Sequence, residues 1–238
     1  MKRCLEVIFQ GQTLAASSLW TIVSRHMGEV SRVHFFGQDV ALKDLSKQFV
    51  GKGNHAFTIE FGCERIEFST LASWGHQVLR IISEDWSRCV PEDLIRSLSG
   101  HFASFLQASF YDWNYYYWKN ATDLLEFRDS NIDVSKLKLK KNGLPRPLDG
   151  LIVDTSQNPS RRVLREGYVE MIGSPMWISQ ALFDLQGRRF DASGLVGFGF
   201  DVSDCDGVTR IAFTGGMFIS DDTEDVQRVL RKTLYGNA

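Results

Sequence analysis

Apolar residues in this chain recur with two different periods, and the changes of period mark its predicted elements. Leu5, Val7 and Phe9 alternate around Glu6 and Ile8, the period-two signature of a strand, closed by Gln10-Gly11. From Thr13 the period lengthens. Ala15, Leu19, Ile22, Val23 and Met27 fall at helical spacing, so a helix capped by Thr13 is predicted to about Gly28. A shorter helix is predicted over 39–50, with Asp39 as its cap and Leu42, Leu45 and Phe49 turned inward. Alternation returns at Phe57, Ile59 and Phe61, and again at Ile66 and Phe68, predicting a hairpin that turns at Gly62-Cys63. A strand near 77–83 extends it into a meander. Pro91, followed by Glu92 and Asp93, opens a helix whose inward face is Leu94, Leu98, Phe102 and Phe105. Proline suits the first helical position, and acids suit the positive end of the helix dipole.

Residues 110–118 interrupt this regularity with seven aromatics in nine positions. A short helix starting at Asn120 or Thr122 and carrying Leu124, Leu125 and Phe127 is predicted after them. Over 135–148 the composition breaks: four lysines, Asn142-Gly143 and prolines at 145 and 147 predict a boundary or an exposed connection. Strands are predicted over 149–154, 163–172, 176–185, 195–202 and 208–214, with Cys205-Asp206-Gly207 turning between the last two. A closing helix begins at a capping-box-like pair, Asp221 and Glu224, and shows Val226, Val229, Leu230 and Leu234 on one face. Strands grouped in meanders with flanking helices, instead of strict alternation, predict an α+β fold of antiparallel sheets. The expected organisation is one domain over 1–238, with two lobes, 1–130 and 149–238, joined by an exposed 131–148 segment.

With 238 residues, 43% hydrophobic and 24% charged, the composition is that of a globular chain, which excludes a disordered, collagen-like or coiled-coil protein. A net charge of −2 argues against direct nucleic-acid binding. Four scattered cysteines without a C-x-x-C pair are expected to be reduced and buried. The start of the chain does not read as a signal peptide, and no stretch of about 18 apolar residues is present. A cytoplasmic protein with no membrane contact is therefore expected.

The chain is poor in local catalytic patterns. None of the five histidines lies three or four residues from another, so no H-E-x-x-H helix exists. No G-x-S-x-G elbow occurs. Gly197-Phe198-Gly199 has Val202 where a dinucleotide fingerprint needs glycine. Asp201, Asp204 and Asp206-Gly207 suggest a calcium loop only until the register is tried, which puts Val202 and Phe213 at ligand positions. Glu60 and Glu67 suit a solvated cross-strand face beside Arg65 better than acid–base work. No catalytic residue, metal or cofactor is expected.

Two features survive these eliminations. Residues 136–166 hold eight Lys/Arg against three acids, whereas 184–225 hold nine acids against three arginines. These are either solvated faces that offset each other or a surface awaiting a basic partner. The aromatic run is either core lining or a protein interface, where Trp and Tyr dominate binding energy. Stacking of single-stranded nucleic acid ranks below both, because only Lys119 is adjacent. The candidate partner-binding residues are Asp201, Asp204, Asp206, Asp221 and Asp222, with Trp113, Tyr115 and Tyr116.

The stretch Asn158-Pro159-Ser160-Arg161-Arg162-Val163, then Gly167-Tyr168-Val169-Glu170, then Gly173-Ser174-Pro175-Met176-Trp177 resembles the core of bacterial polymorphic-toxin immunity proteins, in particular the immunity protein 52 family. The resemblance covers mainly residues 150–215. It implies an α+β fold with structural aromatics, here matched to Trp177, Phe183 and Phe198, with Tyr168 beside Trp177 and Phe183. It also implies stoichiometric binding of a cognate restriction-endonuclease-like DNase toxin, often a type VI secretion effector, and offers no catalytic motif. The competing expectations are a hydrolase with a nonlocal active site and an adaptor protein.

Overall fold

Strand β1 (Arg3–Gln10) has no solvent face, for every side chain from Cys4 to Phe9 is buried. The computed structural model describes residues 1–27, 32–35, 38–41, 44–45, 56–61, 64–87 and 89–236, and it places β1 in mid-sheet. The first half of the chain contributes β2 (Arg32–Phe35), β3 (Gln38–Ala41), β4 (Ala56–Phe61), β5 (Glu64–Leu71), β6 (His76–Ser83) and β7 (Phe105–Asp112). The second half adds two short hairpins, β8 (Leu139–Lys141) with β9 (Leu151–Val153) and β10 (Val163–Arg165) with β11 (Tyr168–Glu170). It then returns to the main sheet through β12 (Met176–Ser179), β13 (Phe200–Cys205) and β14 (Val208–Phe213). The ten-stranded sheet runs β13-β14-β12-β7-β1-β6-β5-β4-β2-β3, and each neighbouring pair is antiparallel. The α+β class is thus observed, with one sheet threading residues on both sides of the exposed 131–148 segment.

Alternation along the strands divides the interior into faces. Leu5, Val7 and Phe9 join Phe57, Ile59, Ile66, Phe68, Leu79 and Ile81 in one core. It is covered by α1 (Ala16–Val23) and α2 (Pro91–His101), which contribute Leu19, Trp20, Leu94 and Leu98. Each such fully buried aliphatic side chain contributes about 1.5–3 kcal/mol. Cys4, Ile8, Val78, Ile82 and Tyr111 point the other way. There they meet α3 (Trp113–Asn120) and β11. Towards β12–β14 that face is covered by α5 (Gln180–Leu185), α6 (Ser193–Val196) and α7 (Glu224–Tyr235). Between β7 and α5 the chain also forms α4 (Leu124–Asp129).

Several predicted elements change. Helix α1 is preceded by Ala15, not capped by Thr13, and passes into a 3-10 turn at Ser24–His26. Asp39 sits in β3, cross-strand from His34, and is no helix cap; Leu45 is buried as expected, while Leu42, Phe49 and the Gly62-Cys63 turn lie outside the described residues. Phe105 starts β7 and is not part of the α2 face. The predicted strands at 176–185 and 195–202 each contain a helix, because only Met176–Ser179 and Phe200–Cys205 find a ladder partner. Asp123, not Asn120 or Thr122, caps α4, accepting from the Leu125 N–H at 2.9 Å. The Asp221/Glu224 capping box does not form, since both carboxylates turn to Lys119 at 2.7 Å. The Asp206-Gly207 turn is observed, with φ of 55° and 84°, the left-handed pair a tight hairpin requires.

Candidate functional site

The aromatic run changes period within itself, and this shapes the surface. Phe110 and Tyr111 finish β7 and enter opposite cores. Asp112 then accepts from the Tyr115 N–H at 2.7 Å, capping α3 at once. Wound into a helix, the following aromatics part company. Trp113, Tyr116 and Tyr117 line a cavity of about 340 Å³, together with Glu6, Arg80, Tyr111, Asp123 and Glu126. Tyr115, Trp118 and Lys119 line a wider groove of about 480 Å³ that includes Lys136, Lys138, Asp154, Asp221, Glu224 and Arg228.

Glu6 lies beneath the first cavity, fully buried on β1. Its Oε2 accepts from Arg80 Nε at 2.8 Å and from the Tyr111 hydroxyl at 2.9 Å, and its Oε1 accepts from Arg162 Nη2 at 2.7 Å. Burial alone would raise this carboxyl. The Arg162 and Arg80 guanidiniums, with the hydrogen bonds from Arg80 and Tyr111, outweigh it and hold the acid at about 2. Burial, with the nearby Glu6 charge adding to it, pushes the Tyr116 hydroxyl upward, so it stays protonated. A second buried cross-link lies nearby: Arg231, fully buried on α7, donates from Nη2 to Glu170 at 2.7 Å and from Nη1 to the carbonyls of Pro159 and Arg161. Arg165 completes it, donating to the other Glu170 oxygen at 2.6 Å. Both clusters bind residues 158–170 to the rest of the molecule. A carboxylate wrapped by two guanidiniums suits cross-linking, not proton transfer. Among the described residues no group of three or more His, Cys, Asp or Glu is placed to hold a metal ion, and no helix is long and apolar enough to cross a membrane.

The predicted acidic surface divides in two. Asp201, Asp204 and Asp206 are exposed on the β13–β14 hairpin. There Asp206 pairs with Arg96 of α2 at 2.7 Å and Asp201 with Arg210 at 3.5 Å. Glu92 and Asp93 approach the same arginines, at 3.7 Å from Arg210 and 3.0 Å from Arg96. Four carboxylates therefore face two guanidiniums, and the fifth acid, Asp204, accepts from the Gly207 N–H at 3.3 Å and pairs with no cation among the described residues. Asp221 and Asp222 stand apart, before α7, on the far side of the sheet from α2. Asp221 is bound to Lys119, and Asp222 accepts from the Ser220 hydroxyl at 3.3 Å.

The candidate aromatics divide likewise. Trp113 and Tyr115 are half-buried, whereas Tyr116 is buried against Tyr111, ring centroids 4.2 Å apart, at the base of the cavity. Trp177 is fully buried but not beside Tyr168 and Phe183. It packs on the α1–α2 face with Leu5 and Phe110; its strand neighbours Met176 and Ile178 alternate to the opposite face, where Phe183 and Tyr168 lie. Phe198 is 53% exposed and contributes to no core. Sequence reasoning missed Glu6, Arg80, Tyr117, Asp123 and Glu126 as cavity-forming residues, and Arg162 as a partner of Glu6. The one available signal was Glu6 itself, a lone charge inside an apolar strand.

No known protein-family model matches the chain, and no curated protein matches it in sequence. Its fold resembles a solved structure described as the Pseudomonas aeruginosa T6SS protein PA0821, with a TM-score of 0.51 and 10% sequence identity. The likeness covers 98% of this chain and 72% of the other. It is a likeness of fold.

Proposed function

We propose that this protein is an immunity protein that binds and neutralises a cognate secreted nuclease toxin in a type VI secretion setting. The observation that carries this reading is the fold likeness to a T6SS protein along 98% of the chain. The resemblance of 158–177 to the immunity protein 52 family supports it and supplies the nuclease as partner. The protein works by occupancy, with no catalytic step of its own, in the cytoplasm where its toxin would act.

The acidic β13–β14 hairpin is the surface that suits a DNA-cutting partner, whose groove must be basic to hold phosphates. Glu92 and Asp93 of α2 extend that surface beyond the hairpin. The Asp206–Arg96 pair is exposed and Asp201 is the exposed partner of half-buried Arg210, so these pairs contribute little and exchange readily for partner cations. The Asp221–Lys119 contact leaves the α7 acids less available. A standard interface of about 1,600 Å² could centre on the hairpin.

The test is titration against the purified toxin of the adjacent gene, beside a toxicity-rescue assay. Replacing Asp201, Asp204 and Asp206 together with Asn should slow association about tenfold at low salt and leave the rates similar at high salt, because exposed charges act mainly on encounter. Unchanged rates at both salts would remove the acidic hairpin from the mechanism. Failure of the unaltered protein to bind or protect would overturn the immunity assignment.

A further inference from the structure

We infer that the cavity between α3 and α4 is a receptor for a guanidinium group. Its walls are aromatic: Trp113 and Tyr117 from α3, with Tyr111 and Tyr116 deeper. Asp123 and Glu126 of α4 stand among its lining residues. Asp123 accepts from a backbone N–H and Glu126 from the Tyr117 hydroxyl, and neither of these donors carries a charge. The charges beneath compensate one another, because Glu6, Glu60 and Glu67 face Arg65, Arg80 and Arg162. The two α4 carboxylates are therefore left as the net charge, and they favour a cation.

The Tyr116 hydroxyl makes the cavity more than an acidic hollow. It is buried, belongs to a residue that lines the cavity, and has no hydrogen-bond partner among the described residues. A buried hydroxyl without a partner is costly to fold, and a ligand that donates to it removes that cost. Both oxygens of the Glu6 carboxylate are engaged, but Oε2 takes two bonds and Oε1, among the described residues, takes the Arg162 bond alone and keeps capacity for another donor. Acceptors beneath, carboxylates at α4 and aromatic side chains on the walls suit a flat cation with several N–H donors. Guanidinium has that shape, stacks on aromatic rings and sheds water more cheaply than an ammonium. On the function proposed above, its carrier is an arginine of the bound toxin; the recognition itself is testable without one.

The probe is N-acetyl-arginine methylamide, titrated into the isotope-labelled full chain and followed by amide NMR. Its neutral urea isostere, N-acetyl-citrulline methylamide, is the control. The arginine probe should give saturable shifts centred on Trp113–Glu126, and the citrulline probe none. Glu126→Gln should weaken the probe about tenfold, the loss expected for one hydrogen bond to a charged group. Tyr117→Leu should weaken it about fivefold through the lost cation–π contact. Tyr116→Phe supplies the sharper signature: it should raise the melting temperature, by removing an unpartnered hydroxyl, and yet weaken the probe. Toxin binding by the Glu126→Gln variant separates the carriers. A parallel loss assigns the site to a toxin arginine, and unchanged toxin binding assigns it to a free guanidinium compound; both keep the receptor. No saturable response, an equal response to citrulline, or shifts indifferent to all three substitutions would overturn it, whatever the outcome of the toxin experiment.

Discussion

Replacing Glu6 with Gln removes one charge from the centre of the sheet while keeping the shape of the side chain. In the folded protein this carboxyl is held at about 2 against an ordinary value of 4.5. Burial opposes that depression; the Arg162 and Arg80 guanidiniums and the bonds from Arg80 and Tyr111 produce it. A folded value below the unfolded one means a contribution that is complete above about pH 4.5 and is lost as pH falls towards 2. The interval corresponds to roughly 3 kcal/mol at neutral pH, near the lower end of the ~3–5 kcal/mol observed when one member of a buried ion pair is deleted. Urea unfolding of both proteins at pH 7, 5.5, 4 and 3 measures it. The gap should stay near ~3 kcal/mol down to pH 5.5 and shrink to about half or less by pH 3. The variant should also show a flatter acid limb of its own. A gap that is the same at pH 7 and pH 3, or one below about 1 kcal/mol at pH 7, would refute the charge-network account of Glu6.

Three further outcomes follow from packing. Trp177→Ala should cost about 3–5 kcal/mol, measured by urea unfolding, because the indole is fully buried in the α1–α2 core; a loss under 1 kcal/mol would contradict that burial. Gly173→Ala should lower soluble yield and melting temperature sharply, since a Cβ there would stand 2.7 Å from the Phe110 carbonyl oxygen, whereas Gly194→Ala, with open space around it, should change neither through a clash. Under native conditions a thiol reagent followed by peptide mass spectrometry should label half-buried Cys205 and spare Cys4 and Cys89 until denaturant is added. Burial pushes the Cys89 thiol up to about 12 and the Cys4 thiol higher still, so neither supplies thiolate at pH 8.

Strands whose alternation is bounded by turn residues were legible from the chain alone: β1, the β4–β5 hairpin, β6, and the Asp206-Gly207 turn. So was the start of α2 at Pro91, because proline and two acids act within one helical turn. The α+β class follows from the same local signals. Short apolar runs were not decidable in this way. Met176–Ser179 and Gln180–Leu185 read as one stretch, and only the ladders to β7 and β14 end the strand where they end. The face a residue occupies was equally hidden: Trp177 and Phe183 are near in sequence yet separated by the thickness of the sheet. The acidic segment 184–225 seemed a single patch, but the sheet carries its hairpin towards α2 and its helix start towards α3. Most of all, Glu6 read as a polar interruption until Arg80, Tyr111 and Arg162, up to 156 residues away, converged on it. Periodicity is a local property, carried by a few consecutive residues. Which distant charges share a buried carboxylate depends on strand order, and strand order exists only once the sheet has formed.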